Sequence, residues 1–147
     1  MDRDLFLQAA LDEARLSLSE GGIPIGSVLV SEGKIIGRGH NCRVQTGSAI
    51  DHGEMNCLRN AGRLGSGVYK NSTMYSTLSP CPMCSGAIVL YKIPRVIVGE
   101  NRNFLGAEDY MGSQGVQVEV VQDVECIQLM QKFIAENPGL WNEDIGV

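Results

Sequence analysis

Residues 73–101, TMYSTLSPCPMCSGAIVLYKIPRVIVGEN, decide the fold. TMYSTLS, at 73–79, reads as a strand. Pro80 stops it, and Pro82 stands where a helix tolerates proline best, its first position, so CPMCSGAIVLYK reads as a helix that begins at the cysteines. RVIVGEN, at 95–101, reads as the next strand. The helix between them is apolar almost all the way round, as expected of one covered on both sides: a sheet takes one side, and a second subunit is the candidate for the other.

Toward the amino terminus, residues 2–20 read as an amphipathic helix. Leu7, Leu11, Ala14 and Leu18 recur near the helical period, Asp12, Glu13 and Arg15 take the other side, and Gly21 and Gly22 end it. Apolar segments at 25–30 and 35–39 flank the turn-forming SEGK and predict a β-hairpin. Asn41 and a polar loop containing QTGSA follow. DHGE then opens a second helix, with Met55, Leu58 and Gly62 on one side, running to about residue 63. Beyond 101 the reading is a loop through 104–115, a strand VQVEVV, and a helix from about Val124 with Cys126, Leu129, Met130 and Phe133 on one face. The tail, NPGLWNEDIGV, holds the single tryptophan and is too apolar for a disordered end. Strands alternating with helices predict an α/β protein, a three-layer α-β-α sandwich with helices on both faces of the sheet.

A chain of 147 residues, 44% hydrophobic, is long enough for one core and short of the length at which chains split. No apolar run reaches the roughly 18 residues a membrane span needs, and MDRDLFLQAA is too charged for a secretory leader, so the expected location is the cytoplasm. Five cysteines are an odd number for a disulfide framework, which favours metal binding or free thiols. The net charge of −5, with 12 Lys and Arg scattered rather than clustered, argues against nucleic acid and for a small, neutral substrate.

The chemistry concentrates in DHGE and SPCPMC. His52, Cys81 and Cys84 offer one imidazole and two thiolates, three zinc ligands that leave the fourth tetrahedral position open for a water. Both halves fall at predicted helix starts, where free backbone amides and the helix dipole favour thiolates. Two cysteines three apart on a first turn converge on one ion. Glu54, two residues after the imidazole, aims more naturally at the water and a substrate above it than at the metal.

The pattern H-x-E followed by P-C-x-x-C is that of zinc nucleobase deaminases. The chain resembles the cytidine deaminase superfamily and, within it, the fungal-type cytosine deaminases, along GGIPIGSVLV, GRGHN, HGE, TLSPCPMCSGAI, VGENRNF and WNEDIG. The resemblance implies one deaminase domain over residues 1–147, a central mixed five-stranded sheet, one zinc ion per subunit and a homodimer. It implies hydrolysis of free cytosine to uracil and ammonia in pyrimidine salvage. Glu54 shuttles protons; Asn41 and the Gly53 amide read the O2 and N1 edge; the Ser79 carbonyl and Asp144 accept from the exocyclic amine. Ile25, Phe104, Trp141 and Ile145 wall the ring under a C-terminal lid that leaves no room for a ribose. The proline within CPMC and the MNCL after the helix start depart mildly from the family's pattern.

Other readings stand beside these. The same zinc and glutamate suit another small amidine ring, such as isocytosine, creatinine or a triazine, and more distantly a nucleoside or tRNA base. A structural zinc module closed by a fourth cysteine, Cys57, is the non-enzymatic alternative. Cys42, Cys57 and Cys126 otherwise read as small buried hydrophobes, and His40 as a hydrogen-bonded structural residue outside the site. On composition alone Phe104 and Trp141 are core aromatics and Asp144 a solvated charge.

Overall fold

The computed structural model describes residues 4–147. The hairpin of β1 (Gly26–Ser31) and β2 (Lys34–His40) joins β3 (Ser72–Ser76), β4 (Arg95–Val98) and β5 (Gln117–Val120) in one sheet, ordered β2-β1-β3-β4-β5. β1 pairs antiparallel with both β2 and β3, whereas β3–β4 and β4–β5 are parallel, so the sheet is mixed as expected.

The two-residue repeat of the strands divides the core in two. Val28, Val30, Tyr75 and Ile97 point to one face, where α1 (Leu5–Ser19) buries Leu7 and Ala10 against them. Asp4 caps α1 by accepting from the Phe6 amide at 2.7 Å; the predicted start at residue 2 lies outside the described residues. α2 (Arg43–Thr46) occupies the loop after β2. Leu29, Met74, Val96 and Val98 point to the opposite face, which receives Cys57 of α3 (Gly53–Ala61). α4 (Ser66–Lys70) leads into β3, and α5 (Pro82–Leu90) makes the crossover that parallel β3 and β4 require, adding Ile88 to the same core. α6 (Glu108–Ser113) adds Met111. α7 (Val124–Glu136), capped by Asp123 and salt-bridged to α1 through Arg15 and Glu125, and α8 (Pro138–Asp144) bury Met130, Phe133 and Trp141 in a third cluster with Ile23, Ile25 and Leu78.

Several expectations need correction. β3 ends at Ser76, not 79, because the chain leaves the ladder there: the Ser79 amide turns to the Glu100 carbonyl at 3.1 Å. The polar loop after Asn41 and the loop at 104–115 contain α2 and α6, and α4 fills the connection ahead of β3, each too short to show a helical period. On α3 the buried residues are Gly53, Glu54 and Cys57, while Met55 and Leu58 border a shallower hollow with Leu64 and Tyr91. α5 buries Cys84, Ser85 and Ile88 on the sheet side, and the side expected to meet a second subunit carries Leu90 and Tyr91, 67% and 46% exposed in the single chain. Cys57 and Cys126 are buried as expected, but Cys42 is half-buried at the edge of α2.

Strand register assembles the site. Gly26 lies opposite His40, Ser27 opposite Ser76, and Ser76 beside Val98, so the start of β1 and the ends of β2, β3 and β4 share one edge of the sheet. Ile25, Asn41, Ser79 and the loop carrying Phe104 all leave from that edge.

Candidate active site

His52 and Cys81 are the N-cap residues of α3 and α5, each in extended backbone, with Pro82 at the first position of α5. Each cap carbonyl takes the first helical hydrogen bond, His52 from the Asn56 amide and Cys81 from the Ser85 amide, both at 2.8 Å. The caps therefore point two side chains at a common point, and Cys84 joins them from the first turn of α5.

The His52 Nδ1 lies 3.4 Å from the Cys81 Sγ, and the two sulfurs are 3.6 Å apart. Tetrahedral zinc with ordinary bond lengths sets its sulfur and nitrogen donors about 3.5 Å apart and two sulfurs about 3.8 Å apart. The three donors thus fit zinc as they stand, and the protein is positioned to hold it through His52, Cys81 and Cys84. Cys57 is not part of this group: it is packed among Leu29, Met74 and Ile88, so no fourth cysteine closes the site.

Without the ion, the donors hold their charges in a linked set. The Cys81 sulfur is drawn down to about 4 by hydrogen bonding from Cys84, against the cost of burial and with the help of His52. Burial works against charge on His52, but Cys81, Asp144 and Glu54 together hold it up at about 9. Cys84 is pushed up, first by Cys81 and then by burial. Glu54, 4% exposed beside these groups, is raised to about 7, chiefly by burial and next by the negative charge on Cys81. A carboxyl that titrates near neutrality both accepts and donates protons readily.

These residues face a narrow cleft with a cavity volume of about 10 Å³, room for about one water. His52, Glu54 and Cys81 form one wall; Ile25, Ser79 and Phe104 continue it; Trp141, Asp144 and Ile145 close it from α8 and its end. Phe104 and Trp141 meet edge to face, ring centroids 5.9 Å apart. Asn41, fully buried, reaches the cavity's border by donating from Nδ2 to the Asp144 Oδ1 at 2.7 Å, and Asp144 lies 3.5 Å from the His52 Nε2. Gly53 starts α3 against the Ile25 carbonyl, and a Cβ there would stand 3.1 Å from that oxygen. Every predicted site residue is thereby in or beside one cavity. Asp144 is buried rather than solvated, and burial pushes its carboxyl up while His52 and Asn41 draw it down.

Sequence reasoning missed three contributors. Leu78 lines the cavity; its strand-end position is the only signal that marks it. Glu108 accepts from the Ser79 Oγ at 2.6 Å, and the Gly106 amide donates to the same hydroxyl at 2.9 Å, so Ser79 is gripped by the start of α6 and the loop ahead of it. Asp51, 1% exposed, accepts from Arg59, Asn56 and Thr46 and anchors the residue before His52. No local pattern announces either carboxylate.

The mixed sheet and the N,S,S donor set beside a buried glutamate define a class of zinc hydrolases, the deaminases. The chain belongs to the family described as the cytidine and deoxycytidylate deaminase zinc-binding region, whose profile matches residues 1–100. It is 58% identical over 141 residues to the cytosine deaminase of Candida albicans, covering 95% of this chain and 94% of that one. It is 41% identical over 145 residues to a tRNA-specific adenosine deaminase of Streptococcus pyogenes, covering 92% and 91%. Among solved structures, one from a study of A-to-I editing by tRNA:A34 deaminases superposes with a TM-score of 0.71 at 27% identity, covering 88% of this chain and 99% of the other.

Proposed function

We propose that the protein hydrolyses free cytosine to uracil and ammonia, as part of cytoplasmic pyrimidine salvage. The identity of 58% with a cytosine deaminase along nearly the whole chain carries this reading, and the closure of the cleft by Trp141, Asp144 and Ile145 supports a bare base over a nucleoside. No helix among the described residues is long and apolar enough to cross a membrane.

His52, Cys81 and Cys84 would hold the zinc ion, which when bound would acidify water and make a nucleophile available at neutral pH. Attack at C4 of the ring breaks its aromaticity and needs N3 protonated as charge develops. Glu54 takes one proton from water and delivers it to N3, then takes the proton of the C4 hydroxyl so formed and passes it to the amine, so that the C4–N bond breaks, ammonia leaves and the carbonyl of uracil forms. Asn41 and the Gly53 amide hold the O2 and N1 edge. The Ser79 carbonyl and Asp144 accept from the exocyclic amine, which orients C4 toward the water. Ile25, Phe104, Trp141 and Ile145 sandwich the ring and exclude solvent.

The working form is a single deaminase domain that pairs as a homodimer. The bare apolar side of α5, continued by the hollow of Met55, Leu58, Leu64 and Tyr91, supplies the surface. The deciding experiment measures ammonia release from cytosine, isocytosine, creatinine, a triazine, cytidine and a tRNA anticodon stem-loop. Cytosine turns over fastest; absence of turnover on cytosine sinks the proposal, and turnover of the stem-loop alone transfers the function to tRNA.

A further inference from the structure

Asn41 is held at each of its polar groups. Its amide donates to the Ile25 carbonyl at 2.9 Å, its carbonyl accepts from the Ser17 Oγ at 2.6 Å and from the Gln45 Nε2 at 3.2 Å, and its Oδ1 accepts from the Arg43 amide at 3.1 Å. The residue before it is held still more firmly. The His40 Nδ1 and Nε2 each lie 2.8 Å from a carboxylate oxygen, of Glu13 and Glu20 respectively, and its amide donates to the Asn56 Oδ1 at 3.2 Å.

The spacing explains the grip. Positions 13, 17 and 20 stand four and seven residues along α1 and its C-cap, hence on one face of the helix, and all three reach the dipeptide at 40–41. Each ring nitrogen of His40 meets a carboxylate oxygen, so the imidazole is held at both edges. Each carboxylate is itself restrained, Glu13 by the Arg38 Nε at 2.8 Å and Glu20 by the Gln45 Nε2 at 3.2 Å. The His40 side chain is 12% exposed, so these bonds are shielded from competing water.

We propose that His40 is a positioning residue: bridging Glu13 and Glu20, it fixes the backbone from which Asn41 meets the substrate. The inference rests on the reading of Asn41 as the group that holds the pyrimidine edge. The bridge runs from the His40 side chain to Glu13 and Glu20 and includes no group of α3 or α5, so its loss leaves the zinc ligands and Glu54 in place. That loss lets the end of β2 shift, and a displaced carboxamide costs substrate binding before it costs chemistry.

The test is kinetic. His40→Ala, Glu20→Gln, Asn41→Ala and the double variant His40→Ala/Asn41→Ala are assayed on cytosine, with zinc content and thermal midpoint recorded for each. In His40→Ala the KM rises roughly tenfold with kcat within about twofold, the signature of lost binding rather than lost chemistry. Glu20→Gln, a change at an exposed helix end that folding tolerates, raises KM about threefold. The double variant is no worse than Asn41→Ala alone, because the two positions act as one unit. A merely structural ion pair lowers the thermal midpoint and leaves KM unchanged; that result in His40→Ala or in Glu20→Gln, or fully additive losses in the double variant, overturns the inference. If Asn41→Ala is itself silent, the reading of Asn41 falls, and the inference with it.

Discussion

Asn41 and Asp144, 103 residues apart in sequence, meet with 2.7 Å between the Asn41 Nδ2 and the Asp144 Oδ1. This bond ties the end of β2 to α8 across the mouth of the cavity. The same carboxylate oxygen is 3.5 Å from the His52 Nε2, so one side chain of α8 meets both Asn41 and a metal ligand.

Asp144→Ala therefore removes both a substrate contact and the latch on α8. A hydrogen bond to a charged group contributes about 1.5–3 kcal/mol, so kcat/KM on cytosine falls roughly 10–100-fold. Hydrogen exchange at 138–147 accelerates in the same variant while the sheet stays protected. Unchanged exchange there refutes the latch.

Glu54→Gln keeps the shape of a buried side chain and discards its proton chemistry. Zinc content and thermal midpoint stay near those of the parent, and kcat falls about 10²–10⁴-fold, the usual share of general acid–base catalysis. A variant that retains most of its turnover rules out the proton-carrying role.

Zinc uptake is proton-linked. At pH 7 in the metal-free protein His52, held at about 9, carries its proton, and Cys84, pushed upward, is a thiol, whereas Cys81, drawn to about 4, is already a thiolate. The ion takes neutral imidazole and two thiolates, so loading releases about two protons, one from His52 and one from Cys84. The sign follows: affinity weakens as pH falls and rises with pH, with about two protons released per ion below about 9 and about one above it, where His52 is already neutral and Cys84 alone still gives up a proton. Calorimetry in buffers of differing ionisation enthalpy counts the protons; release of none contradicts the linked charge set.

Cys57 lies in the core and not at the metal. Cys57→Ser places a hydroxyl among Leu29, Met74 and Ile88 and costs about 1–3 kcal/mol of stability, yet zinc stoichiometry holds at one. Cys84→Ser abolishes tight zinc binding. X-ray absorption of the loaded parent detects two sulfur neighbours, and a third would restore the closed, non-enzymatic site.

Leu90, 67% exposed in the single chain, offers a clean probe of self-association. Leu90→Glu leaves the fold intact because the side chain touches no core, and sedimentation shows a monomer where the parent is a dimer. If the parent itself sediments as a monomer, the pairing surface on α5 is wrong.

Legibility in the sequence followed the range of the interactions. The zinc donors were readable because His52 and Cys81 are helix caps and Cys84 follows one turn later, so neighbouring residues set their geometry. The strands were readable where apolar residues crowd and turns intervene. The end of β3 was overrun because Thr77 and Leu78 have strand character and only the turn of the Ser79 amide toward Glu100 stops the ladder. α2, α4 and α6 are four to six residues long and offer less than two turns of pattern.

By itself the sequence determined the alternation of strands and helices, the metal chemistry and the presence of a proton carrier two residues from a ligand. Those depend on backbone propensity and on spacing within one turn. The tertiary structure alone decided that β2 and α8 end at the same edge, so that Asn41 meets Asp144 and Trp141 meets Phe104 over the donors. It also decided that Cys57 packs in the core and that His40 lies between two carboxylates of another helix. Contacts across so many residues arise from sheet register and layer packing, and no local property of the chain records them.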